Sequence, residues 1–250
     1  MNISTDVPLA TLQQQLEAIR LEFQEFTSTV SHDLRAPLRH ITAYVQVMTE
    51  DWPDMPQDMA DHLATIRQSA QLLGQQLDGL TQLSRWGQQE IQLQAVNVSV
   101  MAQEVANTIM QNSSAHHVQW HLAKDVPLVW ADADMLRTAL SNLLGNAVKF
   151  SHNCRPAHIT LDWHCGEKPS QCCICINDNG VGFAPGQAKA LFKVFGKLHP
   201  VREFEGLGMG LVCSRKIIER LGGFISIEGV LQQGCRITMG LPKAATQNPS

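Results

Sequence analysis

Apolar residues recur along the start of the chain at alternating intervals of three and four: Leu9, Leu12, Leu16, Ile19, Phe23, Phe26 and Val30. This heptad seam predicts a helix that packs against another helix. After Val30 the rhythm changes. Phe26, Val30, Leu34 and Leu38 stand four apart, and the alternation resumes through Ile41, Val45 and Met48. A run of fours departs from the coiled-coil repeat, and it falls on the segment that contains His32. Pro37 lies inside the same helix. It removes one backbone donor and crowds the carbonyl of Asp33, which predicts a kink or local loosening there.

Asp51-Trp52-Pro53-Asp54-Met55-Pro56 ends this helix, because its prolines alternate with polar turn formers. A second series follows at intervals of four and three: Met59, Leu63, Ile66, Ala70, Leu73, Leu77 and Leu80. Two antiparallel helices cannot bury two such stripes on each other alone. A four-helix bundle formed by a homodimer solves the problem. Later helices of the same chain could do so too, but the later sequence carries its own αβ pattern, which favours the dimer.

Trp86-Gly87-Gln88-Gln89 closes the helical part. Beyond it, strands are predicted at 96–98, 117–122, 159–163, 172–177, 224–228 and 236–241. Helices are predicted at 100–110, 133–150 and 209–221, the last closed by Gly222-Gly223. The expected fold class is α+β. A helical hairpin (1–92) precedes a layered sandwich with helices on one face of a mixed sheet (93–243), and 244–250 reads as a loose tail.

The net charge of −4 favours neither nucleic acid nor an anionic membrane. No apolar run reaches the roughly 18–20 residues of a membrane span, and residues 1–10 carry no secretory signal. The seven cysteines are odd in number, so reduced thiols in the cytoplasm are expected. Cys165, Cys172, Cys173 and Cys175 cluster near His164, yet their spacing matches no standard zinc pattern. The alternation Cys173-Ile174-Cys175-Ile176 fits a buried strand instead. His116, His117 and His121 read as a polar strand edge.

Four short blocks carry chemistry. Ser31-His32-Asp33-Leu34-Arg35-Ala36-Pro37-Leu38 offers an imidazole on an amphipathic helix. It is not a hydrolase triad, since consecutive helical residues point about 100° apart. Asn142 and Asn146 share a helix face. Their amide oxygens suit Mg²⁺, which keeps waters and substrate phosphates as its other ligands, although a polar helix surface looks the same. Lys149 could neutralise phosphate charge. In Asp178-Asn179-Gly180-Val181-Gly182, an ionised Asp only accepts hydrogen bonds and so suits the exocyclic amine of adenine. Its glycines admit a ligand close to the backbone. Gly206-Leu207-Gly208-Met209-Gly210-Leu211 opens a helix whose free N–H groups can face phosphate. No strand–helix–strand unit surrounds it, so it is not a dinucleotide fingerprint.

In order and spacing, these blocks resemble the catalytic core of sensor histidine kinases over roughly residues 20–243. Residues 31–38 resemble the H box, 142–150 the N box, 178–183 the first glycine box, 191–195 the F box and 206–211 the second glycine box. The run His-Asp-Leu-Arg-Ala-Pro-Leu-Arg, with Phe195-Gly196-Lys197-Leu198-His199, is similar to the branch that includes bacterial phytochrome kinases. The resemblance implies an ATP-binding domain of the Bergerat type, shared by gyrase, chaperone and histidine kinase. It implies that His32 takes the γ-phosphoryl group of ATP and that Asp33 accepts or orients the imidazole proton. Asn146 would hold Mg²⁺, with Asn142 and Lys149 supporting metal and phosphates. Asp178 would bind adenine, with Gly180 and Gly182 shaping the pocket. Residues between Gly182 and Gly206 would form a lid that Gly206, Gly208 and Gly210 hinge. The implied partner is a response regulator receiver domain that accepts the phosphoryl group on an aspartate. An upstream sensor domain or controlling partner is also implied.

Two rivals share parts of this pattern. ATPases with the same nucleotide fold have a water-activating Glu four residues before the metal-binding Asn. Here that place is Asn142, which is no general base. A nucleotide-binding dimeric scaffold or decoy without transfer would not need His32, Asp33 and Asn146 together. One departure concerns phosphate removal: the residue four after the histidine is Ala36, which cannot orient a water, so weak phosphatase activity is expected.

Overall fold

The computed structural model describes residues 9–112, 118–198, 204 and 206–244. His116, His117, His199 and the tail beyond Ala244 lie outside the described residues, as do the side chains of Leu9, Leu12 and Leu16. The chain divides between Arg85 and Trp86 into two units.

The first unit is a helical hairpin. Helix α1 (Leu9–Asp51) continues through Pro37, and α2 (Gln57–Trp86) follows after a short turn. Pro53 and Pro56 punctuate that turn, and the Pro56 carbonyl accepts the Ala60 amide at 3.0 Å to start α2. Val45, Leu63, Ala70 and Leu77 are buried within the hairpin. Phe23, Phe26, Leu34, Ile41, Ile66 and Leu73, all on the predicted apolar stripes, are exposed in the single chain. Arg35 Nη2 donates to Asp78 Oδ1 at 2.8 Å and ties α1 to α2.

The second unit is a sandwich. In order it contains β1 (Gln94–Val96), α3 (Val98–Asn112), β2 (Val118–Leu122), β3 (Val129–Ala131), α4 (Ala133–Phe150), β4 (Ala157–Cys165), β5 (Gln171–Asp178), α5 (Ala188–Leu191), α6 (Gly210–Arg220), β6 (Phe224–Val230) and β7 (Gly234–Pro242). The main sheet has the strand order β2-β4-β5-β7-β6, and β1 pairs with β3 separately. Among the described strands only β2 and β4 run parallel; the other neighbours are antiparallel. One parity of the strands joins the helices in a single core. Ile159, Leu161, Ile174, Ile176 and Met239 meet Leu136, Leu140, Leu143 and Leu144 of α4 and Ile217 and Ile218 of α6.

Four local differences from expectation have physical causes. Val98 begins a helix rather than ending a strand, because Asn97 Oδ1 caps α3 by accepting the Val100 amide at 3.1 Å. Strand β3 is too short to show a period, and its pairing partner β1 lies far back in the chain. Ala244 is held rather than loose: its amide donates to the Leu128 carbonyl at 2.8 Å. The linker after α2 also belongs to the sandwich. Arg220 Nη1 donates to the carbonyls of Trp86 and Gln89 at 2.8 Å each.

Candidate active site

Helix α4 is anchored before it presents anything. Asp132 caps it, its Oδ1 accepting the Asp134 and Met135 amides at 3.1 Å each while its Oδ2 accepts the Gln92 amide at 3.0 Å. Its buried face carries Met135, Leu136, Ala139, Leu140, Leu143, Leu144 and Ala147. That burial leaves Asn142 and Asn146 on the flank toward α6. Ser214 of α6 donates to the Gly210 carbonyl at 2.9 Å, with the Ala139 carbonyl 3.4 Å away. A Cβ on Gly210 would stand 3.5 Å from Asn142 Cγ, an ordinary contact distance, so the start of α6 lies directly beside Asn142 of α4.

The end of β5 supplies the carboxylate. Asp178 Oδ1 accepts the Gly180 amide at 2.9 Å, and the Val181 amide then donates to the Phe150 carbonyl at 3.2 Å. A Cβ on Gly180 would strike that same carbonyl. Gly182 has φ +57°, and a Cβ there would run into the Val230 carbonyl. Both glycines are therefore set by close backbone approach. Burial raises the Asp178 carboxyl to about 6, opposed by hydrogen bonds from the Gly180 and Cys235 amides. Burial, followed by the neighbouring Asp178 charge, pushes the Cys235 thiol up to about 12.

The second glycine box meets the stretch just after the F box backbone to backbone. Gly208 has φ +72°, and a Cβ there would lie 2.7 Å from the Gly196 carbonyl oxygen. The first turn of α6 follows directly. Met209 caps it without any side-chain bond, and among the described residues no side chain bonds to its leading N–H groups.

These elements enclose one cavity. Of the residues given a nucleotide role from the sequence, Asn146, Lys149, Asp178, Gly182, Gly206, Gly208 and Gly210 line it. Asn142 and Gly180 stand behind the wall and shape it through Gly210 and Phe150. Sequence reasoning missed Lys197 and Cys235 as lining residues, together with an apolar wall that includes Phe183, Leu198, Phe204 and Ile227. Lys197 adjoins the F box, so a cation search there could have found it. Cys235 and Ile227 arrive through sheet pairing alone and carry no local signal. Burial lowers the Lys149 pKa, and the nearby Lys197 charge lowers it further. Among the described residues, no carboxylate pairs with either ammonium group. Phe204 packs on Phe150 and on the edge of His152, with ring centroids 5.0 and 5.1 Å apart.

In the hairpin unit, the His32 side chain is 83% exposed. Its Nδ1 lies 3.2 Å from Asp33 Oδ1, which leaves Nε2 without a protein partner among the described residues. Ser31 beside it is buried.

Two family models cover most of the chain. Residues 24–89 match the His Kinase A (phospho-acceptor) domain, and 131–245 match the histidine kinase-, DNA gyrase B- and HSP90-like ATPase domain. The chain belongs to the sensor histidine kinases. This kinase core is 26% identical over 228 residues to cyanobacterial phytochrome B of Nostoc, covering 90% of this chain and 30% of that protein. It is 30% identical over 229 residues to the methanogenesis regulatory histidine kinase FilI of Methanothrix harundinacea, covering 91% of this chain and 25% of that protein. The kinase core thus spans about a quarter to a third of the length of these curated relatives. Its fold is also that of full-length ShkA crystallised with AMPPNP, with a TM-score of 0.61, 23% identity, and coverage of 89% of this chain and 47% of that one. No helix among the described residues is long and apolar enough to cross a membrane.

Proposed function

We propose that this kinase core transfers the γ-phosphoryl group of ATP to His32 and passes it to an aspartate of a response regulator receiver domain. The observation that carries this reading is the composition of the cavity. A buried carboxylate, two ammonium groups without carboxylate partners among the described residues, a hard amide oxygen and an open helix N-terminus converge on one apolar-walled space. That set matches an adenine nucleotide: Asp178 accepts from the exocyclic amine, while Lys149, Lys197 and the first turn of α6 receive the phosphates.

A magnesium ion fits the donor set. Asn146 lines the cavity near Lys149, and one amide oxygen with phosphates and waters is an ordinary Mg²⁺ environment. Bound there, the ion would neutralise charge on the transferring phosphate. Asn142, packed behind Gly210, would keep the helix ends in place.

In the transfer, Nε2 of a neutral His32 attacks the γ-phosphorus and its bond to the β–γ bridging oxygen breaks, releasing ADP. Nδ1–H faces Asp33, which fixes this tautomer and stabilises the positive charge that develops on the ring. Transfer needs positioning and charge neutralisation more than covalent help, and the cavity residues supply both. The unit would work as a homodimer in the cytoplasm, the exposed stripes of α1 and α2 closing on a second copy as a four-helix bundle.

Incubation with Mg²⁺ and γ-labelled ATP, beside His32→Gln, tests the proposal. Label on wild type alone, lost in acid and kept in base, is the expected result. No label on a protein that still binds nucleotide would favour the scaffold reading instead.

A further inference from the structure

Cys165 and Cys172 face each other directly across the β4–β5 hairpin. The Gly166 amide donates to the Gln171 carbonyl at 3.0 Å, so the next pair outward is hydrogen-bonded. Antiparallel pairs alternate, which makes Cys165 and Cys172 a non-hydrogen-bonded pair with Cα atoms about 4.5 Å apart and side chains on one face. That separation lies within the range a disulfide spans, about 4.4–6.8 Å.

The two thiols differ. Cys165 is exposed, whereas Cys172 is fully buried. Lys243 Nζ donates to Cys165 Sγ at 3.3 Å. The Lys243 amide is itself fixed to the Ser170 carbonyl at 2.7 Å, in the loop between the two cysteines. The exposed Cys165 sulfur is the one a reagent in solution can reach. Burial pushes the Cys172 thiol up to about 11, and Lys243 opposes that shift. The hairpin therefore pairs a reachable thiol with a sheltered one that can resolve it.

We propose that Cys165 and Cys172 form a reversible dithiol–disulfide site that reacts with small-molecule disulfides. In the first step Cys165 Sγ attacks one sulfur of the reagent. A mixed disulfide forms, the reagent's S–S bond breaks, and one thiol leaves with the proton that Cys165 gave up. In the second step Cys172 Sγ attacks Cys165 Sγ, the mixed S–S bond breaks, and the second thiol leaves with the proton from Cys172. Two electrons pass from the protein to the reagent, which ends as two thiols. Cys173 and Cys175 point to the opposite face of β5 and take no part.

The site is tested on the whole chain with oxidised glutathione at graded ratios to glutathione, followed by alkylation. Trypsin leaves both cysteines on one peptide, because Lys168 precedes Pro169. Cleavage after Glu167 separates them. Expected is a fragment pair linked through Cys165, reversed by excess thiol, abolished by Cys172→Val or Cys172→Ser, and retained in Cys173→Ala and Cys175→Ala. Linkage of Cys165 to Cys173 or Cys175, stable glutathione on Cys165 with Cys172 still free, or no reaction at Cys165 would each overturn the proposal. Mass analysis of the wild-type chain reads each of these outcomes without any variant.

Discussion

The Gly180 amide donates to Asp178 Oδ1 at 2.9 Å, so the turn that carries the chain past α4 also aims the carboxylate. Folding raises this carboxyl to about 6 from an ordinary value of 3.8. The folded state thus holds the proton more tightly than the unfolded one. The contribution of this group to stability is full below about pH 4 and is lost as pH rises through about 6. Asp178→Asn should accordingly gain about 1–2 kcal/mol at pH 8 relative to wild type, and nothing near pH 4, in urea titrations at the two pH values.

Nucleotide binding runs the other way. The ionised carboxylate accepts from adenine, so ATP affinity measured by calorimetry should fall between pH 7 and pH 5. Asp178→Asn should bind roughly tenfold or more weakly at pH 7 and lose most of that pH dependence.

Lys149 is a desolvated cation beside a second one, Lys197. Lys149→Met removes a charge that the apo fold tolerates at a cost. Expected are unchanged or higher thermal stability and about 10–100-fold weaker ATP binding, with adenosine affected far less. Equal losses for ATP and adenosine would remove Lys149 from the phosphate end of the cavity.

Two glycines of the nucleotide domain should respond in opposite ways. Gly145 lies inside α4, and a Cβ added there would meet nothing within 4 Å. Gly145→Ala should stabilise by about 0.5–1 kcal/mol, because alanine loses less backbone entropy in a helix. Gly182→Ala meets both a positive φ and the Val230 carbonyl. It should destabilise by about 1–3 kcal/mol or more and abolish nucleotide binding. Denaturant midpoints of the two variants decide this.

Ile66 and Leu73 are exposed in the single chain on the stripe of α2. Ile66→Asp with Leu73→Asp should weaken self-association at least tenfold in sedimentation experiments, since burying two carboxylates opposes assembly. Unchanged sedimentation would place the interface elsewhere. Ala36 leads to a separate expectation: wild type should scarcely accelerate phosphate loss from a phosphorylated receiver, and Ala36→Asn should accelerate it. Rapid loss with wild type would contradict this.

Periodicity and local chemistry were enough to find most elements, because a helix or strand is dictated by which face its own residues can bury. The bounds of α4, the hairpin break at Pro53 and Pro56 and the order of the chemical blocks were all legible one residue at a time. Contacts that join distant segments were not. Cys235 and Ile227 reach the cavity only because β7 pairs with β5 and with β6, and pairing register has no local signature. Asn142 and Gly180 look like ligand contacts in sequence, yet packing against Gly210 and the Phe150 carbonyl puts them behind the wall. The Cys165–Cys172 pair shows the same division. The cysteines are visible in sequence, but only the antiparallel register sets Cys165 opposite Cys172, and only the end of β7 brings Lys243 to the sulfur. Local sequence determined which groups were available; long-range pairing decided which of them meet, since backbone hydrogen bonds across a sheet ignore distance along the chain.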